Sequence, residues 1–155
     1  MDCKDRLEAY FREHDVSFET ATHSEAYTAQ EVAAALHVSG HQLAKVVMLW
    51  AGDELTMTVV PASTRVDLRR AADVLGAGKV RLAREAEFGG RFDDCELGAM
   101  PPFGNLYDLP VVVDPALGEL GDIVFSAGTY TESMKIAYDD FERLVQPKVG
   151  KLVLD

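Results

Sequence analysis

Apolar residues recur along this chain in two rhythms, and each change of rhythm marks an element. Leu7, Tyr10, Phe11 and His14 fall at helical spacing, which predicts an amphipathic helix over 2–14. Val16, Phe18 and Thr20 then alternate with period two, as a short strand does. Thr28 followed by Glu31 forms a capping box, and Val32, Ala35 and Leu36 supply the buried stripe of the helix it opens. After Ser39 and Gly40 come two apolar runs, 45–50 and 55–61, separated by Ala51, Gly52, Asp53 and Glu54. That arrangement predicts a hairpin.

Asp67 is placed to cap a helix running through Leu68, Ala71, Ala72 and Leu75, and Gly76 to end it. The pattern then predicts a short strand over 79–82 and a short helix over 84–88. The stretch 89–108 is rich in glycine, proline and acid without a sustained period, the mark of a long ordered loop, where function often resides. Strands are expected at 111–113, 123–125 and 133–138. Asp139 with Glu142 caps a last helix bearing Phe141, Leu144 and Val145. Strands and helices mix without regular β-α-β alternation, so the expected class is α+β with a mixed sheet. No repeat or linker divides the sequence, which places residues 1–155 in a single domain.

Composition narrows the function. With 48% hydrophobic and 26% charged residues over 155 positions, the chain is expected to be globular with a proper core. A net charge of −11 argues against DNA binding and other nonspecific nucleic-acid contact, which needs clustered cations. The charge is uneven, however. Arg65, Arg69, Arg70, Lys79, Arg81 and Arg84 face only Asp67 and Asp73 within 65–84, a local balance of +4. Such a strip on an acidic body can hold one RNA end, although a solvated helix face explains each cation singly. No apolar run approaches the roughly 20 residues that cross a bilayer, and the first residues lack a secretory layout, so a cytoplasmic protein without membrane contact is expected. Cys3 and Cys95 stand far apart outside any C-x-x-C pair and read as free thiols. His14, His23, His37 and His41 lack a ligand pattern, so no metal is expected.

No G-x-S-x-G elbow, H-E-x-x-H helix or Walker loop is present, and Gly76-Ala77-Gly78-Lys79 falls where a helix needs an ending. Three segments stand out instead. Lys45 opens an otherwise apolar strand, where it either snorkels to the strand end or offers a fixed positive charge to a substrate oxygen. In Gly98-Ala99-Met100-Pro101-Pro102-Phe103-Gly104 the glycines permit close backbone approach and the prolines stiffen the loop, so its amides can hold an oxyanion; a plain turn is the alternative. Ser126-Ala127-Gly128-Thr129-Tyr130-Thr131 joins two strands with small residues, either as a simple hairpin turn or as room for an acyl group.

In order, these residues resemble the YbaK and prolyl-tRNA-synthetase-associated editing domain family. The resemblance covers nearly the whole chain. It runs from His23 with Thr28-Ala29-Gln30-Glu31-Val32-Ala33 through Ala44-Lys45-Val46-Val47, Val60-Pro61-Ala62 and the Gly-x-x-x-Pro loop Gly98 to Pro102, to Phe125-Ser126-Ala127-Gly128-Thr129. It implies a mixed sheet curled toward a barrel with flanking helices, no metal or other cofactor, and hydrolysis of the ester joining a small noncognate amino acid to tRNA. The implied partners are the acceptor end of an aminoacyl-tRNA and an aminoacyl-tRNA synthetase. Lys45 and Gly98 carry over as the catalytic positions. Substrate contacts are expected from His23, Tyr27, Thr28, Met100, Pro101, Pro102, Phe103, Gly104, Ser126, Gly128, Thr129 and Tyr130. The family commonly has histidine where this chain has Tyr130, a larger donor that does not titrate near neutral pH. That departure favours a second reading, a noncatalytic module binding an aminoacyl-adenosine or a synthetase. In the catalytic reading a lysine ammonium is a poor base unless desolvated and no nucleophile is evident, so water attacks.

Overall fold

The computed structural model describes residues 2–24 and 29–154. In chain order its elements are α1 (Cys3–Glu13), β1 (Phe18–Thr22), α2 (Ala29–Ala35), β2 (Ala44–Ala51), β3 (Glu54–Pro61), α3 (Leu68–Leu75), β4 (Val80–Leu82), α4 (Glu85–Phe88), β5 (Val111–Val113), β6 (Asp122–Ser126), β7 (Glu132–Ala137), α5 (Tyr138–Val145) and β8 (Lys148–Val149). The fold is α+β, as expected. Its strands make two sheets rather than one: an antiparallel sheet in the order β1-β7-β6, and a mixed sheet in the order β4-β2-β3-β5-β8. An isolated parallel bridge between Leu43 and Val124 links them, and the described strands do not close into a barrel.

The hairpin β2–β3 is the frame of the larger sheet. Its register runs from Ala44 opposite Pro61 to Ala51 opposite Glu54, closed by Gly52 and Asp53, with Gly52 at a φ of 61°. These strands read as unbroken apolar runs because both faces are covered. Met48, Met57 and Val59 point into the main core between the sheets, with α1 and α5 packed against it. Leu49 and Val60 point the other way, onto Ala71 of α3, Val112 and Leu152. Thr56 and Thr58 are also buried, and their hydroxyls donate to the carbonyls of Glu54 and Val47. A third cluster forms where Val32 and Ala33 of α2, with Leu36 just after it, lie over Val124.

Helix ends follow the side chains. Asp67 accepts from the N–H groups of Arg69 at 2.9 Å and Arg70 at 3.2 Å, and Gly76 ends α3 at a φ of 64°. Asp67→Ala is expected to cost about 1 kcal/mol of stability, read as a lowered urea midpoint at unchanged slope.

Several expectations change. Thr28 and Tyr27 lie outside the described residues, so the capping box does too, and Ala35 faces solvent while Ala33 takes its place in the buried stripe. Val16 is buried but precedes β1. The last helix begins at Tyr138 after Ala137 without a side-chain cap. Asp139 therefore sits inside the first turn, where its charge favours the helix dipole rather than closing an N–H. The tyrosine expected to end β7 is the first residue of α5.

Candidate active site

Lys45 is the second residue of β2, opposite Val60 and two positions after Leu43 of the bridge. Its neighbours on the same face, Val47 and Leu49, are apolar, so the half-buried lysine carries its stem along that face and its ammonium to the strand end. There Nζ donates to the carbonyl of Thr64, which the turn after β3 presents; that turn is held by Thr64 N–H and Oγ1 both donating to the Pro61 carbonyl, at 3.0 and 2.7 Å. An ammonium has three donors, and the Thr64 carbonyl is the acceptor seated on it among the described residues.

A cavity of about 220 Å³ opens beside Lys45, at the junction of the two sheets. His23, Ser126 and Ser133 give it polar walls, and Val32, Leu43, Ala62 and Val124 apolar ones. Ser126 and Ser133 are direct cross-strand partners in the β6–β7 pair, which places both hydroxyls on one patch. His23 follows β1, and its N–H donates to the Thr131 carbonyl at 2.7 Å, extending the ladder past the strand. Its Nε2 lies 3.0 Å from Ser133 Oγ and its Nδ1 3.2 Å from the Ser24 carbonyl. A carbonyl only accepts, so Nδ1 carries the proton and, in the neutral ring, Nε2 accepts from the Ser133 hydroxyl. The imidazole is thereby fixed in both orientation and tautomer.

The loop 98–104 is built differently from a surface loop. Met100, Pro101, Pro102, Phe103 and Gly104 are all buried. Phe103 is 0% exposed and meets the rings of Phe11, Phe125 and Phe141 edge-on, with centroids 5.3 to 5.6 Å away. Gly104 packs so closely that a Cβ there would lie 2.6 Å from Val111. Only the loop's entry, Gly98, is exposed, at a φ of 95° that side-chain-bearing residues rarely adopt.

That entry is bound to the Ser126–Tyr130 turn. Gly128 N–H donates to the Ala99 carbonyl at 2.9 Å, Glu96 N–H to the Gly128 carbonyl at 2.8 Å, and the Tyr130 hydroxyl to the Leu97 carbonyl. Thr129 Oγ1 is engaged within the turn, 3.2 Å from Thr131 Oγ1 and donating to Glu132 at 3.1 Å. Through Ser126 this loop pair adjoins the cavity. Lys45, His23 and Ser126 thus share one cavity, while residues 98–104 with Gly128, Thr129 and Tyr130 form a second, linked group.

A model of the aminoacyl-tRNA editing domain matches residues 23–144, the span holding every lining residue of the cavity. The chain belongs to the aminoacyl-tRNA editing domain family. A curated relative, the multifunctional Ser/Thr-tRNA deacylase ProXp-y of Escherichia coli strain K12, is 33% identical over 94 residues, which is 60% of this chain and 56% of that protein. The matched part therefore spans little more than half the relative's length. Among solved structures, a candidate trans-editing enzyme for prolyl tRNA synthetase superposes with a TM-score of 0.83 at 19% identity, over 100% of this chain and 99% of that one. A hypothetical protein superposes with a TM-score of 0.81, also at 19% identity, over 96% and 99%. At such identities the likeness shows the editing-domain fold alone.

Within this editing domain, the polar cavity residue that sequence reading missed is Ser133. Nothing marks a lone serine in a strand; only the β1–β7–β6 register brings it beside Ser126 and His23. The basic strip is also more compensated than its composition implies. Arg81 and Arg84 both pair with Glu87, at 2.8 and 3.5 Å, and the Arg81 guanidinium holds the Glu87 carboxyl well below the usual carboxylate range. Arg65, Arg69 and Lys79 remain exposed.

Proposed function

We propose that this chain is an aminoacyl-tRNA deacylase acting in trans, with residues 1–155 forming one editing domain that hydrolyses the ester of a small noncognate amino acid on tRNA. The observation that carries the reading is that Lys45 and the ordered His23–Ser133 pair line one cavity of about 220 Å³. That volume lies below the roughly 300–1,000 Å³ of drug-sized sites and suits a small acyl group.

In the proposed reaction Lys45 keeps its proton and draws the ester carbonyl oxygen, where negative charge develops. The His23–Ser133 pair and a ribose hydroxyl hold the attacking water, and the amide of Gly98 lends a further donor at the loop entry. Met100, Pro101 and Pro102 stiffen the adjoining loop, Phe103 and Gly104 fix it to the core, Ser126 bounds the acyl group, and Gly128, Thr129 and Tyr130 tie the turn after Ser126 to that loop, with Tyr27 and Thr28 close to His23 in sequence. The acceptor end then runs over Arg65, which follows the Thr64 anchor, toward Arg69. An aminoacyl-tRNA synthetase is the proposed partner and the cytoplasm the proposed compartment. Among the described residues no helix is long and apolar enough to cross a membrane.

Serine and threonine, named in the E. coli relative, are the first substrates to test, followed by alanine, cysteine and proline. One methylene distinguishes acyl groups by only about 1–3 kcal/mol, which is why a synthetase benefits from a second site. A panel of these misacylated tRNAs is expected to show release of free amino acid from at least one. Tyr130 favours the second reading, a noncatalytic module, because its hydroxyl is spent on the Leu97 carbonyl. Such a module protects every ester in the panel, and protection throughout sinks the deacylase reading.

A further inference from the structure

Away from the His23–Lys45 cavity, the fold brings together the two cysteines that the sequence holds 92 positions apart. Cys3, in the first turn of α1, and Cys95, in the long loop, place their Sγ atoms and an Asp94 oxygen within 4.8 Å of one another. Tyr107 is the hub of the group: its Oη lies 3.2 Å from Cys95 Sγ and 3.9 Å from Cys3 Sγ, and it donates to Asp94 Oδ1 at 2.9 Å. Arg6 closes the group. Its Nη1 is 3.5 Å from Asp94 Oδ2, its Nη2 donates to the Leu106 carbonyl at 2.6 Å, and its guanidinium stacks 4.9 Å from the Tyr107 ring centroid. A surface cavity of about 540 Å³ lined by Arg6, Arg91, Asp94 and Tyr107 leads to it.

We infer that Cys3 and Cys95 are an oxidation site, which hydrogen peroxide converts to an intramolecular disulfide. The two thiols are unequal, as such chemistry requires. Cys3 is 2% exposed, whereas Cys95 is half-buried beside the residues lining the cavity. The hydrogen bond from the Cys3 thiol holds the Cys95 pKa below the usual thiol value, against the opposing effects of burial and of the Asp94 carboxylate. Cys3 is pushed up by that same hydrogen bond and by burial. Thiolate character selects the attacking sulfur.

In the first step the Cys95 thiolate attacks one peroxide oxygen, the O–O bond breaks, and the departing hydroxide takes a proton as water. Cys95 becomes a sulfenic acid. In the second, the Cys3 sulfur attacks Cys95 Sγ, the S–O bond breaks, and the hydroxide leaves with the Cys3 proton as a second water. Two thiols and one peroxide give one disulfide and two waters.

The test uses the full chain with a chelator present, a stoichiometric amount of hydrogen peroxide, then alkylation, digestion and peptide mapping. The expected product is a single linked peptide pair joining Cys3 to Cys95 in monomeric protein, reversed by dithiothreitol. In Cys3→Ser, Cys95 is expected to stop at the sulfenic acid and be trapped by dimedone. In Cys95→Ser, Cys3 is expected to label on the order of ten-fold more slowly. Links between chains, or two thiols still reduced at peroxide levels that oxidise free cysteine, overturn the inference. Wild-type mapping decides the matter alone if a serine variant fails to fold.

Discussion

Lys45→Ala is expected to slow deacylation of a misacylated tRNA by roughly 10²–10³-fold, the loss of about 2.7–4 kcal/mol that accompanies removal of one oxyanion donor. The effect should appear in the single-turnover rate, because charge on the carbonyl oxygen peaks in the transition state and a ground-state ester offers the ammonium little to bind. Stability should change much less. The strand pairing of residue 45 with Val60 is backbone chemistry that alanine keeps, and the lost side-chain bond goes to the Thr64 carbonyl, which the turn already braces. Lys45→Arg should recover only part of the rate, since a planar fork on a longer stem does not reproduce a compact ammonium. A Lys45→Ala protein that folds normally and hydrolyses every ester at the wild-type rate would remove lysine from the mechanism.

Phe103→Ala should destabilise the fold by about 3–5 kcal/mol, measured by urea denaturation. Its ring is enclosed by Phe11, Phe125 and Phe141, which come from α1, β6 and α5, so its loss opens a cavity that three separate elements would have to collapse to fill. Edge-on ring contacts add to the area term. The loop 98–102 hangs from this anchor, so deacylation should also fall well below the melting transition. A stability change under 1 kcal/mol would mean that the loop holds its shape without Phe103.

That loop illustrates what a sequence conceals. Glycine, proline and absent periodicity correctly announced irregular backbone over 89–108, but irregular backbone is not the same as exposed backbone. Here Met100 through Gly104 run through the interior. Elements dictated by local chemistry were legible: the β2–β3 hairpin through its turn and twin apolar runs, and α3 through Asp67 and Gly76. Elements dictated by distant pairing were not. The strand β8 is two exposed residues paired to β5, with no pattern long enough to detect. The division into two sheets depends on which strand β6 and β7 choose as neighbours. Lys45, His23 and Ser126 were legible as residue types in a familiar order, whereas Ser133 and the approach of Cys3 to Cys95 exist only once the chain is folded.

The contact between Gly98 and Tyr130 orders the mutational routes open to this protein. A Cβ at position 98 would lie 2.6 Å from the Tyr130 hydroxyl, so the phenol occupies the space that any side chain there would need. A shorter residue at 130 empties that space yet leaves Gly98 in its left-handed conformation. Position 130 is therefore free to vary first, while change at 98 becomes tolerable only afterwards and with a reshaped loop. The two positions are epistatic in one direction. Libraries that seek a new acyl preference should diversify the turn before the glycine.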